Sequence, residues 1–144
     1  PAAALTLLGD VLKGTVPVLV ARALEMAPFA VALVGFCAFL GHLFPVFFQF
    51  RGGKGVATAF GLLFPLHWLS GLIAGGVWLG VFGITRISSV ASLSAFVAAP
   101  ISLWFWLPGA FWPMLALTVV MFIRHRANIA KLLSGEELGF RKKG

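Results

Sequence analysis

Four groups of side chains in this chain could do chemistry on an anion. Gly52, Gly53 and Gly55 surround Lys54, with Arg51 before them and Thr58 after. Glycines allow successive backbone N–H groups to turn toward one point, and two cations beside such a nest suit a phosphate. Gly55 follows Lys54 where a Walker loop needs Ser or Thr, so nucleotide hydrolysis is not implied. A glycine-rich inner loop of a transporter would have the same local chemistry. His42 precedes this stretch within an apolar run, and a polar group at that depth faces protein or water rather than lipid. Asp10 and Lys13 stand three apart, one helical face, and can pair with each other or present charge to a substrate phosphate. His125 and Asn128 repeat that spacing between Arg124, Arg126 and Lys131. A neutral imidazole there could accept a hydroxyl proton, and the amide could orient a substrate oxygen. A basic interfacial cap is the plainer reading of the same residues. Glu136 could pair with an arginine to close the pocket or stand in solvent.

The elements that must position these groups are membrane helices. Of 144 residues, 60% are hydrophobic and only 10% charged, whereas a soluble globule has about 25% charged residues. Residues 26–50, 55–85 and 87–123 contain no Asp, Glu, Lys or Arg. Runs of that length belong in a bilayer. The expected segments are Ala2 to Leu24, Pro28 to Phe47, Val56 to Leu66, Trp68 to Phe82, Ser88 to Trp106 and Phe111 to Ile123. Pro65 and His67 divide the second run, and Leu107-Pro-Gly-Ala110 divides the third, because Pro and Gly favour a turn. The fold class expected is therefore an all-α polytopic membrane protein with six segments. Trp68, Trp104, Trp106 and Trp112 suit the headgroup level.

Orientation follows from the cations. Arg51 and Lys54, then Arg86, then Arg124 and the residues after it all fall on one side if two segments separate each group from the next. Both ends of the chain are then cytoplasmic. Beyond Arg124 the pattern changes: Ile129, Leu132 and Leu133 alternate with charges at helical spacing, so residues 124–144 read as an amphipathic, basic cytoplasmic tail. The net charge of +7 is dispersed among apolar runs and forms no groove for nucleic acid. Cys37 lies alone in an apolar run, and three scattered histidines make no metal site. His67, beside Pro65 and Trp68, marks a turn. The chain opens at Pro1 inside an apolar stretch, which suggests a piece of a longer protein.

Two stretches together resemble a known family: Gly41-His-Leu-Phe-Pro-Val-Phe with Arg51-Gly-Gly-Lys-Gly-Val-Ala-Thr58, and Arg124-His-Arg-Ala-Asn-Ile with Leu132-Leu-Ser-Gly-Glu136. They are similar to the bacterial membrane glycerol-3-phosphate acyltransferases that use an acyl-phosphate donor, and Leu8-Gly-Asp-Val-Leu-Lys-Gly14 matches that family too. The resemblance implies acyl transfer to the 1-hydroxyl of sn-glycerol 3-phosphate in phospholipid synthesis at the bacterial inner membrane, without metal or nucleotide cofactor. It implies phosphate binding by Gly52, Gly53, Lys54 and Gly55, roles for His125 and Asn128 at the reacting groups, and a supporting role for Glu136. Asp10, Lys13, His42, Arg51 and Thr58 are expected beside the substrate phosphates. Family members carry seven helices and an earlier polar stretch rich in Ser, Gly and Asn, so this chain is expected to be one membrane-embedded acyltransferase domain lacking its first helix and first motif, and to be inactive alone. A small anion transporter or channel is the competing class.

Overall fold

The computed structural model describes residues 1–44 and 55–135, and every regular element among them is helical. The helices are α1 (Ala2–Ala23), α2 (Pro28–Leu43), α3 (Val56–Leu66), α4 (Trp68–Thr85), α5 (Ser88–Trp106), α6 (Phe111–Arg124) and α7 (Arg126–Ser134), with a 3-10 turn at Pro108–Ala110 between α5 and α6. Three of them, α1, α4 and α5, are long and apolar enough to cross a membrane. Helix α2 has 16 residues and α3 has 11, about 24 Å and 17 Å of rise against a core of about 30 Å.

Local chemistry sets the boundaries. Pro28 opens α2 at the first helical position, where its missing N–H costs nothing. His67 ends α3 in an extended conformation and caps α4, its Nδ1 accepting the Ser70 N–H at 3.2 Å. Three helices end on residues in the left-handed region, α1 near Glu25 (φ 58°), α4 at Arg86 (φ 59°) and α7 at Gly135 (φ 81°). The second expected segment stops at Leu43, short of Phe47, and residues 45–54 lie outside the described residues. The fourth continues past Phe82 to Thr85.

Short connections make α1 and α2, α4 and α5, and α5 and α6 packed neighbours. The tightest pair is α1 with α3, which run parallel, as their contacts advance together from Asp10–Thr58 through Thr15–Gly61 to Arg22–Pro65. Gly14 and Gly61 permit the approach, because a Cβ on Gly14 would strike the Thr58 carbonyl and one on Gly61 the Val11 carbonyl. Helix α5 is the buried member of the bundle. It contributes Phe96 and Leu103 to a core with Phe39, Leu62, Leu63, Met114, Leu117 and Met121. Thr118 of α6 donates its hydroxyl to the Phe96 carbonyl and so ties α6 to α5. The outer faces are apolar: Leu5, Leu19, Leu72, Leu79, Ile84, Phe105 and Ile123 are all exposed, as suits a surface that meets lipid. Trp68, Trp104, Trp106 and Trp112 are exposed as well.

Candidate functional site

Asp10 is the centre of the first polar cluster. Its carboxylate lies 3.4 Å from the Lys13 ammonium one turn on, a half-exposed pair of modest strength. The same oxygen is 3.6 Å from His42 Nδ1, at the last turn of α2. The His42 side chain is 9% exposed, and Nδ1 finds no hydrogen-bond partner among the described residues. Thr58 completes the cluster from α3, but its hydroxyl is donated to the Asp10 carbonyl oxygen at 2.7 Å and the residue is fully buried. It therefore clamps α1 to α3, where a contact to substrate phosphate had been expected. Gly55 precedes α3 with φ 85°, and a Cβ there would run into the ring of Phe39, so position and conformation both demand glycine.

The second cluster is built on the break between α6 and α7. His125 is 3% exposed, and its backbone N–H and its ring Nδ1 both reach the Met121 carbonyl, at 3.0 and 2.8 Å. A carbonyl oxygen only accepts, so Nδ1 carries the proton, and in the neutral ring Nε2 is an acceptor. The Met121 carbonyl thus accepts twice, once from the backbone and once from the ring, which fixes the imidazole at the helix break. Asn128 stands one turn along α7. Both residues line a cavity of about 580 Å³. Its polar end adds Ser88 and Ser89 from the start of α5; Val56 and Ala57 enter it from the first turn of α3; Leu7, Phe60, Trp78 and Leu79 supply apolar wall.

The two clusters adjoin through α3, whose first turn carries Thr58 on one side and faces the cavity with Val56 and Ala57 on the other. They adjoin also through Arg124, whose guanidinium lies 5.2 Å from the Phe44 ring at the end of α2. Among the residues expected from sequence, Asp10, Lys13, His42, Gly55 and Thr58 come together, as do His125 and Asn128. Arg51, Gly52, Gly53, Lys54 and Glu136 lie outside the described residues. Sequence reasoning overlooked Ser88, Ser89 and Ser92, and overlooked Trp78, whose indole N–H donates to Ser92 Oγ at 3.0 Å. The spacing of Ser88 and Ser92, four apart just after the charged break at Arg86, was a usable signal for a polar stripe.

Comparison with known proteins identifies the family. The family model described as glycerol-3-phosphate acyltransferase matches residues 1–135. A glycerol-3-phosphate acyltransferase of Methylococcus capsulatus is 49% identical over 94% of this chain, and one of Caulobacter vibrioides is 53% identical over 98%. The chain spans 70% and 66% of the length of those relatives. A crystal structure of PlsY, an integral membrane glycerol 3-phosphate acyltransferase, in its glycerol 3-phosphate form superimposes with a TM-score of 0.89 at 36% identity, over 95% of this chain and 70% of that one. Its lysophosphatidic acid form gives the same score. With its apolar exterior, and on these likenesses, the chain is a multi-pass membrane protein and belongs to the glycerol-3-phosphate acyltransferase family.

Proposed function

We propose that the protein to which this chain belongs transfers an acyl group from a long-chain acyl-phosphate to the 1-hydroxyl of sn-glycerol 3-phosphate. The observation that carries this reading is a cavity with a polar end and an apolar body, lined by buried His125, by half-buried Asn128 and by the first turn of α3. Such a site suits a donor with a charged head and a hydrocarbon tail. The first N–H groups of α3 and its dipole favour an anion, and Lys54 immediately precedes Gly55 in sequence.

In the reaction, the glycerol oxygen attacks the acyl carbonyl carbon, a new C–O ester bond forms, and the bond from that carbon to the phosphate oxygen breaks. Inorganic phosphate leaves with the bonding pair. The hydroxyl proton passes to Nε2 of His125, the acceptor nitrogen of the tautomer held by Met121, while Asn128 orients the oxygens. Lys54, Arg51 and the glycines between and after them hold phosphate; Asp10 orients Lys13 and His42 beside it; Thr58 braces Asp10; Glu136 has a supporting role. The donor is already activated, so preorganised electrostatics at the leaving group contribute more than a protein nucleophile would, on the order of 2.7–4 kcal/mol for one good donor.

The six apolar segments cross the bacterial inner membrane with both ends of this chain cytoplasmic, and the shortness of α2 and α3 is met by local thinning of the bilayer. A reporter fused near Pro108 then reads as periplasmic. The reading itself is tested with purified full-length protein given acyl-phosphate and glycerol 3-phosphate. Equimolar 1-acylglycerol 3-phosphate and phosphate are expected; a protein that moves phosphate across vesicles without consuming acyl-phosphate would be a transporter instead.

A further inference from the structure

Two glycines one turn apart on the same face of α4 have opposite surroundings. Gly71 is buried, and a Cβ added there would lie 2.6 Å from the ring of Phe64. Gly75 lines the cavity that holds His125 and Asn128, and a Cβ added there would have no atom within 4 Å. Phe64 therefore fills the space before one glycine, and the cavity fills the space before the next.

The position of Gly75 along the cavity is set by helix geometry. Ser88, His125 and Asn128 are at the end where α4 gives way to α5, and Gly75 lies 10 residues before Thr85, about 15 Å deeper. The wall between is held in place: Trp78, one turn from Gly75, donates to Ser92 Oγ at 3.0 Å and stacks on Phe82 with ring centroids 5.0 Å apart. Trp78, held from two directions, cannot swing aside for a longer ligand, so on its side of the cavity the open volume beside Gly75 decides how much ligand fits.

We infer that Gly75 sets the length of acyl chain the cavity accepts, its missing side chain leaving room for the tail's last methylenes while the head group sits at His125 and Asn128. This rests on the acyltransferase reading and adds a specificity-determining position to it. A side chain at Gly75 would enter the void and meet no protein atom first, so the fold tolerates it and the tail does not.

The test uses the full-length protein and a series of saturated acyl-phosphates from short to long, with kcat/KM measured for each. Gly75→Leu is expected to lower the ratio of long-chain to short-chain kcat/KM by about tenfold or more, the order expected when one or two methylenes lose their place. Gly75→Ala lowers it by less. Gly76→Leu, on the neighbouring residue that does not line the cavity, keeps the wild-type ratio. An unchanged ratio in both Gly75 variants, or an equal shift in Gly76→Leu, overturns the inference while leaving the acyltransferase reading intact. If Gly75→Leu fails to reach the membrane, the Gly75→Ala profile decides alone. A wild-type protein that acylates nothing overturns the reading and the inference together.

Discussion

Gly61→Ala tests whether backbone contact between α1 and α3 is what holds the Asp10 cluster together. The added Cβ would come within 2.8 Å of the Val11 carbonyl carbon and 3.0 Å of its Cα, against about 3.5–4.0 Å for ordinary carbon contact. Both partners are helix backbone and cannot rotate away, so the helices must part by about 0.5–1 Å. Two hydrogen bonds that join them, Thr15 to the Gly61 carbonyl and Thr58 to the Asp10 carbonyl, are both 2.7 Å and would be stretched out of range. Each is worth about 0.6 kcal/mol in a membrane protein, and overpacking a tight contact costs about 1–3 kcal/mol. The better helix propensity of alanine returns about 0.5–1 kcal/mol. The net expectation is a destabilisation of about 1–4 kcal/mol, read as a lower melting temperature of purified protein in detergent. The matched control is Gly76→Ala, where a Cβ meets nothing within 4 Å, so only the propensity gain remains. If Gly61→Ala melts at or above Gly76→Ala, close packing of α1 on α3 is not what holds these helices.

Other outcomes follow from the same geometry. His125→Gln keeps a hydrogen-bonding side chain that cannot take a proton, and should lower kcat by about 10²–10⁴ with KM little changed, in single-turnover assays of the full-length protein; kcat within threefold of wild type would remove the base role. Burial lowers the pKa of His67 below its ordinary 6.5, in keeping with a ring whose Nδ1 accepts the Ser70 N–H and must be unprotonated to do so. Its contribution is therefore complete above about pH 6.5 and declines as pH falls through the lowered value, because the unfolded chain takes up the proton first. Melting temperatures measured from pH 8 to 5 should fall more for wild type than for His67→Asn, and parallel curves would refute the cap. Thr118→Val removes the hydroxyl shared by the Phe96 and Met114 carbonyls and should cost about 1 kcal/mol of stability, with acyl transfer unaffected at saturating substrate.

Much of the fold was legible because charge is so scarce. Uncharged runs marked the helices, and Pro65 with His67 and Pro108 with Gly109 marked two of the breaks, which fall where expected. Ends that depend on conformation were less legible: α4 runs on to Thr85 because Arg86 adopts a left-handed backbone, a state that side chains other than glycine rarely enter. The pairing of Asp10 with Lys13, and the proximity of His125 to Asn128, followed from helical spacing alone. That His42 joins the former across α2 did not, and neither did the commitment of the Thr58 hydroxyl to a backbone carbonyl.

The composition by itself determined that this chain is a bundle of membrane helices, because a helix is the way a single apolar segment satisfies its backbone in lipid. Its motifs determined the family to which the helices belong. Tertiary structure alone decided which face of each helix turns inward. When the surrounding solvent is as apolar as the core, hydrophobicity does not distinguish an inner face from an outer one, and the choice falls to close contacts such as Gly14 and Gly61, to single hydroxyls, and to a tryptophan held by a serine two helical turns from the reacting end.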